Sequence, residues 1–295
     1  MNALNHVKIG TCNWKYDSWQ GLVYSQNETK NNLHEYCKQA STVEIDQWFL
    51  PLFKRNIIVW PRAEVMKEYA RSVPPGFVFT IKVPNNITLT HQHSNQKNSP
   101  LVPNPYFLSL DLMMRFLESV RSLYGHIGPL MFQFEYLDEI KMPSLNRFLE
   151  KFEAFVEGLP SVFQYSVEIK NPSYLRNEYF DFLVRHRLGH VFLQGYNMPS
   201  IFDIYEEFKE KLINPVIIRL YGDNRKNIEE RAPDSWPEIV DQEDDELLRL
   251  NEMVHDLLER NHDIFINVNS HHKGSTPRTI EKINTLLNTA LSGEH

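Results

Sequence analysis

The chain has 295 residues, of which 42% are hydrophobic and 23% charged, and its formal net charge is −7 at pH 7. These values are ordinary for a globular protein and argue against disorder. The two cysteines, Cys12 and Cys37, exclude a disulfide framework. Because no run approaches about 18 apolar residues and the N-terminus lacks a signal-peptide pattern, we expect a cytoplasmic protein without membrane contact.

Eight short apolar runs divide the chain and are predicted to be β-strands. They are KIGTCNW (8–14), TVEIDQW (42–48), FVFTIKVP (77–84), PLMFQFE (129–135), YSVEIK (165–170), HVFLQG (190–195), PVIIRLYG (215–222) and DIFINVNSHH (263–272). Helical patterns follow the runs, at residues 31–40, 61–73, 106–125, 144–158, 173–186, 200–212, 246–261 and 276–291. Eight strand–helix alternations predict an α/β fold, a single (β/α)8 TIM-type barrel of parallel strands spanning residues 1–295.

Two connections are too long for simple turns. Residues 84–105 follow the third strand and residues 223–246 follow the seventh, so both lie on the face where the strands end. Loops of this length are usually functional or mobile, and the alternative is decoration of the barrel rim. Residues 223–246 contain ten acidic and three basic residues, which accounts for the whole net charge. An acidic rim works against nucleic-acid binding, although such a run can also be a solvated segment.

Polar residues stand at or near the C-terminal ends of the predicted strands. The set comprises Glu44, Lys82, Gln133, Glu168, Gln194, Arg219, Tyr221, Asn269 and His271. Burying a charge or an amide without a partner costs roughly 1–3 kcal/mol even on mutational scales, so these groups are expected to meet one another. In an α/β barrel the strand ends surround one cavity, where enzymes of this fold perform their chemistry.

Glu44 and Glu168 are the candidate catalytic pair, with Glu168 as the acid/base and Glu44 as its partner. Two carboxylates can divide these roles if their environments separate their pKa values. Lys82 and Arg219 could hold a substrate carboxylate or phosphate, so Arg219→Ala is expected to abolish anion binding while leaving the fold intact. Substrate hydroxyl groups would be oriented by Gln133, Gln194, Asn269 and His271. The alternative is a closed ion-pair network that plugs the top of the barrel.

Histidines, a cysteine and aromatic residues are further candidates, for metal binding, nucleophilic catalysis and stacking respectively. The histidines His91, His93, His271 and His272 could provide nitrogen ligands, but their positions favour solvated loops, and we expect neither a metal nor a cofactor. Cys12 could be a nucleophile or a small buried hydrophobe. Aromatic residues follow the first two strands, namely Trp14, Tyr16, Trp19, Tyr24, Trp48 and Phe49. They could stack on a sugar or base, or cover the end of the barrel.

Several strings together resemble the domain of unknown function 72 family, also called YecE-like. They are IGTCNWKYDSWQG, TVEID, GFVFTIKVP, GPLMFQF, VEIKNPSY, RLYG and the closing pattern of Asn269, His271, Gly274 and Pro277. The strings span essentially the whole chain in the family's order. The resemblance implies a TIM-barrel fold and no established activity. Members have been likened to the endonuclease IV and xylose isomerase barrels, which is an analogy of fold.

The chain departs from the family pattern at several positions. Cys12 and Asn13 replace Ser and Gly, Lys170, Asn171 and Tyr174 replace Arg, His and Trp, Tyr221 replaces His, and Ser270 replaces Asn. Two histidines that the family places at the mouth are therefore missing. A mechanism that needs an imidazole there would be altered in this protein.

These observations favour an enzyme that acts on a small anionic or sugar-like substrate by carboxylate acid/base chemistry. The alternative is a protein that binds nucleic acid or a nucleotide, including a phosphodiester hydrolase like endonuclease IV, which the charge disfavours. The sequence does not indicate an oligomeric state.

Overall fold

Eight parallel β-strands form a closed barrel in the computed structural model of the chain, which describes residues 3–16, 19–25, 31–46, 60–92, 100–195, 197–221, 236–269 and 276–292. The strands are β1 (Val7–Thr11), β2 (Thr42–Ile45), β3 (Val78–Lys82), β4 (Ile127–Gln133), β5 (Tyr165–Glu168), β6 (Gly189–Gln194), β7 (Val216–Leu220) and β8 (Ile264–Val268). Each strand pairs with the next in the chain, and β8 returns to β1. The predicted TIM-barrel fold is confirmed.

Nine α-helices are found in the described residues. They are α1 (Asn32–Tyr36), α2 (Ala63–Ser72), α3 (Asn85–Thr88), α4 (Leu110–Ser119), α5 (Leu145–Val156), α6 (Asn177–His186), α7 (Ile201–Phe208), α8 (Trp236–Glu259) and α9 (Thr276–Ser292). Local signals set several boundaries. The hydroxyl of Ser144, for example, accepts a hydrogen bond from the Arg147 backbone N–H at 3.2 Å and so caps α5.

The two long connections contain more regular structure than the sequence predicted. Helix α8 begins at Trp236, so the second half of the connection predicted at 223–246 is helical. In the connection predicted at 84–105, helix α3 follows β3 almost directly, and an isolated bridge joins His91 to Pro103. The predicted helix at 106–125 divides into α4 and a 3-10 helix over Arg121–His126. The sequence did not predict α3 because a helix of four residues shows little periodicity.

The buried apolar residues form two separate clusters. The large one fills the space between the strands and the surrounding helices. The small one, which we call the inner cluster, contains Met131, Val191, Ile217 and Phe265, with Val78 packed against it. Because side chains alternate across a strand, residues two positions further along these strands also face the interior. Polar strand-end residues with this parity therefore project into the barrel above the inner cluster.

Strands β1 and β2 are joined by only two register pairs, Gly10 with Thr42 and Thr11 with Val43. A Cβ atom at Gly10 would lie 1.9 Å from the backbone oxygen of Thr42. Only glycine therefore permits this close approach. The hydroxyl of Tyr36 lies beside the same junction, where it donates to Thr42 O at 3.0 Å and accepts from the Thr11 N–H at 2.8 Å.

Candidate functional site

A fully buried ion cluster lies at the C-terminal ends of the strands and is centred on Arg219. The Arg219 Nε donates to Glu44 Oε2 at 2.9 Å, and Nη2 donates to Glu44 Oε1 at 2.8 Å. The Nη1 atom donates to Glu168 Oε2. The side chains of all three residues have no solvent exposure. Strands β2, β5 and β7 thus bring together three residues separated by up to 175 positions in the chain.

Two further side chains complete the contacts of the cluster. Gln133 on β4 donates from Nε2 to Glu168 Oε1 at 2.7 Å. Tyr221 accepts from Arg219 Nη2 at 2.6 Å, and its ring centroid lies 4.6 Å from the guanidinium carbon. These four hydrogen bonds occupy nearly all of the five N–H groups of the guanidinium. Because Arg219 donates these hydrogen bonds to partners inside the protein, it has few donors left to bind a substrate anion.

The two carboxylates have pKa values displaced in opposite directions. Burial raises the pKa of Glu44 above its usual range, and the positive charges of Arg219 and Lys82 offset this only in part. Burial also acts to raise the pKa of Glu168, but Arg219, Lys170 and Lys82 together outweigh it and hold that pKa below its usual range. Glu44 therefore holds a proton more readily than Glu168.

A charged residue two positions after each glutamate, just past the end of its strand, contributes to the difference between the two pKa values. Asp46 follows Glu44, and its negative charge raises the pKa of Glu44. Lys170 follows Glu168, and its positive charge lowers the pKa of Glu168. Because residues two apart share a strand face, Glu-x-Asp and Glu-x-Lys place opposite charges beside two otherwise similar carboxylates.

Lys82 and Lys170 supply positive charge on the side of the cluster nearer to solvent. Burial lowers the pKa of both ammonium groups, Arg219 lowers it further, and nearby carboxylates oppose the effect. Lys82, Gln133 and Asn269 retain relative exposures of 7, 7 and 9%. These small exposed areas identify the side of the cluster that is not fully buried.

The structure brings together most, but not all, of the predicted site residues. Glu44, Glu168, Arg219, Gln133 and Tyr221 are in direct contact. Lys82 interacts electrostatically with both carboxylates, and Asn269 follows β8 directly at the same end of the barrel. His271 lies outside the described residues, as do His93, His272, Trp48 and Phe49.

Gln194 does not join the cluster. Because Val191 belongs to the inner cluster, alternation places Gln194 on the outer face of β6. There its Nε2 donates to Glu246 Oε1 at 2.8 Å, and its Oε1 accepts from the Ile201 N–H at 3.4 Å. Gln194, predicted to orient substrate hydroxyls, thus connects β6 with α7 and α8 and is not in contact with the ion cluster.

The aromatic residues after β1 mainly cover the end of the barrel. Trp14 is buried and packs edge-to-face on Tyr69 with ring centroids 5.1 Å apart. Trp19 is buried and stacks on Tyr36, and Tyr24 donates from its hydroxyl to Trp14 O. Tyr16 is partly exposed and lies 4.6 Å from Trp19 between centroids. Trp14, predicted to bind substrate, is thus fixed in the core.

The structure also decides the state of Cys12, which the sequence left open, and reveals polar residues that sequence reasoning did not single out. Cys12 is buried, and its thiol pKa is raised by burial and by Glu44, so it is not an activated nucleophile. The buried side-chain atoms Asn85 Oδ1, Asn86 Nδ2 and Thr88 Oγ1 of α3 have no hydrogen-bond partner among the residues that the structure describes. The polar residues at 85, 86 and 88, shortly after Lys82, were the available signal. Asn171, after β5, fixes the loop that follows β4 by accepting from Leu137 N and donating to Leu137 O, both at 2.8 Å.

The described residues contain neither a group of metal ligands nor a membrane-spanning helix. Among the described residues, no three His, Cys, Asp or Glu side chains are grouped so as to hold a metal ion. None of the helices in these ranges combines the length and apolarity needed to cross a membrane. The expectation that no metal is bound stays a prediction.

An eight-stranded α/β barrel with a polar cluster at its strand ends defines the general class of this protein. The family model described as "Protein of unknown function DUF72" matches residues 8–294. The chain therefore belongs to this family, as its motifs predicted. No curated protein matches the chain.

Solved structures of the same family share the fold. A family protein from Enterococcus faecalis is 16% identical and has a TM-score of 0.64, with 96% of this chain and 95% of that chain covered. A family protein from Thermotoga maritima is 18% identical with a TM-score of 0.62, covering 96% and 99%. A psychrophilic glycoside hydrolase family 10 endo-β-1,4-xylanase is 9% identical with a TM-score of 0.51, covering 90% and 87%. At these identities the likeness shows the fold alone.

Proposed function

We propose that this protein is an enzyme that acts on a small anionic or sugar-like substrate by carboxylate acid/base chemistry at the C-terminal face of the barrel. One observation carries the proposal: Glu44 and Glu168 share one guanidinium, yet their pKa values are displaced in opposite directions. A pair of carboxylates with separated pKa values is the arrangement that lets one act as an acid while the other stays ionised.

The direction of the shifts favours Glu44 as the proton carrier and Glu168 as the permanent carboxylate. This exchanges the roles that the sequence suggested for the same two residues. Burial and the charge of Asp46 favour a protonated Glu44, whereas Arg219 and two lysines favour an ionised Glu168. Arg219 orients both groups because its planar donors fix the position of each carboxylate.

Substrate binding is assigned to the less buried side of the cluster. Lys82 provides a positive charge for a carboxylate or phosphate, since Arg219 is already occupied by internal partners. Gln133, Asn269 and Tyr221 offer amide and hydroxyl groups that can orient the hydroxyls of a sugar-like ligand. Binding of an anion should be strongest when Glu44 is protonated, because one competing negative charge is then removed.

A ligand screen tests the binding half of this proposal. A panel of small phosphates, carboxylates and sugars is added to the parent protein, Lys82→Met and Lys67→Met, and thermal unfolding is measured. Lys67 is exposed on α2 and serves as the control. We expect at least one compound to raise the melting temperature of the parent and of Lys67→Met, because a native-state ligand stabilises by mass action, and to fail with Lys82→Met. An equal shift in Lys82→Met, or no shift with any compound, contradicts the proposal.

Infrared spectroscopy tests the acid/base half. As the pH is lowered, we expect the C=O band of a protonated carboxylic acid to appear above the pH at which an ordinary glutamate protonates, because the pKa of Glu44 is raised, and we expect this band to disappear in Glu44→Gln but to persist in Glu168→Gln. If the band is absent from the parent protein in that pH range, Glu44 is not the proton carrier. If in addition no ligand binds, the ion cluster is a structural plug of the barrel.

The alternative of a metal-dependent phosphodiester hydrolase has no comparable support. It needs several metal ligands around one point, and the described residues contain no such group. The acidic character of the chain also remains unfavourable for contacts to many phosphates.

A further inference from the structure

Three polar side chains inside the barrel have no hydrogen-bond partner among the protein groups that the structure describes. The atoms concerned are Asn267 Nδ2 and Oδ1, Thr80 Oγ1 and Ser166 Oγ. All three residues have no solvent exposure. These atoms include both hydrogen-bond donors and acceptors, because a hydroxyl can donate and accept, and an amide has a donor nitrogen and an acceptor oxygen.

Strand register places these residues in the same part of the barrel. Thr80 pairs with Glu44 across β2 and β3, and Asn267 pairs with Arg219 across β7 and β8. Ser166 stands two residues before Glu168, on the same face of β5. Their side chains therefore lie inside the barrel alongside or below the ion cluster.

The lower boundary of this region is apolar. Asn267 follows Phe265 of the inner cluster by two residues, and Ser166 pairs with Met131 of the same cluster. The upper boundary is the buried ion cluster of Glu44, Arg219 and Glu168. The three polar residues thus lie between an apolar floor and a charged ceiling, and we call this region the inner chamber.

Buried polar groups in folded proteins are almost always hydrogen-bonded, either to protein or to ordered water. An internal water makes about three hydrogen bonds to otherwise unsatisfied groups, and it can donate and accept at once. A metal cation fits less well, because it could use Asn267 Oδ1 and the hydroxyl oxygens but would leave the Asn267 Nδ2 donor without a partner.

We propose that the inner chamber is a binding site for ordered water, formed by Asn267, Thr80 and Ser166 beneath the two carboxylates. The bound water satisfies the three side chains and adds hydrogen bonds to the underside of the ion cluster. This solvation moderates the cost of holding three ionisable groups out of bulk solvent. The water site does not depend on the proposed enzymatic function, and its test uses no substrate.

Magnetic relaxation dispersion of water nuclei tests the proposal, because it counts water molecules that stay inside a protein longer than the protein tumbles. The variants are Thr80→Val, Ser166→Ala and Asn267→Leu. Each removes polar atoms of the chamber with little or moderate change of shape. We expect each folded variant to lose the signal of about one internal water. Thr80→Val and Ser166→Ala keep the test decisive if Asn267→Leu fails to fold.

Thr42→Val is the matched control for Thr80→Val. Thr42 is equally buried on the adjacent strand, but its hydroxyl donates to Val78 O at 2.7 Å. We expect Thr42→Val to retain the full water signal and to lower the melting temperature through the lost hydrogen bond. An unchanged water signal in Thr80→Val and Ser166→Ala, together with raised melting temperatures, would overturn the proposal, because it would show that the hydroxyls have no partner at all.

Discussion

Arg219 is a large side chain with no solvent exposure, and it carries a charge. Its positive charge pairs with the negative charges of Glu44 and Glu168. The buried site therefore accommodates each of these charges only while the others are present. Replacing a whole buried ion network by apolar groups is often neutral, whereas removing one partner is not. The cluster is therefore better explained by what it does to Glu44 and Glu168 than by stability.

Arg219→Met is expected to lower the free energy of unfolding by about 3–5 kcal/mol, because it leaves two carboxylates buried without their counter-charge. Urea denaturation near neutral pH measures this. Arg121→Met is the control, since Arg121 is exposed and forms only a surface ion pair with Glu118. An equal stability of both variants would show that the cluster is not electrostatically coupled. The structure thus predicts that Arg219 cannot be removed without cost to the fold, contrary to the expectation from sequence.

His190 makes the stability depend on pH in the mildly acidic range. It is buried on β6 among Tyr179, Phe180 and Phe192, and burial lowers its pKa to about 3. The unfolded chain, with an ordinary histidine pKa of about 6.5, binds the proton more readily than the folded protein. The contribution of His190 to the free energy of unfolding is therefore fully present above about pH 6.5, and the free energy of unfolding falls as the pH decreases from there toward about 3.

His190→Phe should reduce the pH dependence of the unfolding free energy between about pH 6 and 4 by up to about 1.4 kcal/mol per pH unit. Denaturation curves at several pH values measure it. His34→Phe, at an exposed position of α1, should leave the dependence unchanged. A parallel decline in the parent protein and in His190→Phe would mean that other groups cause the acid sensitivity.

At the level of elements, the charged residues just past the ends of β2 and β5, Asp46 and Lys170, give the glutamates of these strands different electrostatic surroundings. Asp46→Asn removes a negative charge beside Glu44 and should lower the pKa of Glu44. Lys170→Met removes a positive charge beside Glu168 and should raise the pKa of Glu168. Infrared titration of the carboxyl bands follows both groups. If either pKa moves in the opposite direction, the neighbouring residue is not the cause of the difference.

The junction of β1 and β2 tests how closely the barrel is packed. Gly10→Ala would place a Cβ atom 1.9 Å from Thr42 O, and relief requires movement of the backbone. We expect a loss of at least about 3 kcal/mol, the upper end for overpacked cores. Gly125→Ala is the control, because a Cβ there meets no atom within 4 Å. Thermal unfolding distinguishes the two variants, and comparable melting temperatures would show that the strands can separate locally.

The charge of the whole molecule bears on the nucleic-acid alternative. The net charge of −7 resides in residues 223–246, and the remaining charges balance. Proteins that bind nucleic acid gain most of their affinity from lysine and arginine at phosphates. We expect no binding of labelled duplex or single-stranded DNA at physiological salt, as measured by fluorescence anisotropy. Tight binding that weakens steeply with added salt would favour the nucleic-acid alternative over a small-molecule enzyme.

The sequence by itself determined the architecture of this protein, because the relevant signals are local. Apolar runs such as FVFTIKVP, helical spacing and caps such as Ser144 act within a few residues, and their eightfold alternation leaves few arrangements other than a barrel. Convergence of Glu44, Glu168 and Arg219 followed from the fold, since all three stand at strand ends.

Only the tertiary structure decided which way the side chains face and which charges meet. The run HVFLQG is buried on both sides, so no contrast of polar and apolar residues reveals that Val191 points inward and Gln194 outward. Trp14, a candidate for stacking on a ligand, lies in the core, where it contacts Tyr69, 55 positions away in the chain. The opposite pKa shifts of Glu44 and Glu168 depend on burial and on charges from four strands, because electrostatic effects act through space rather than along the chain.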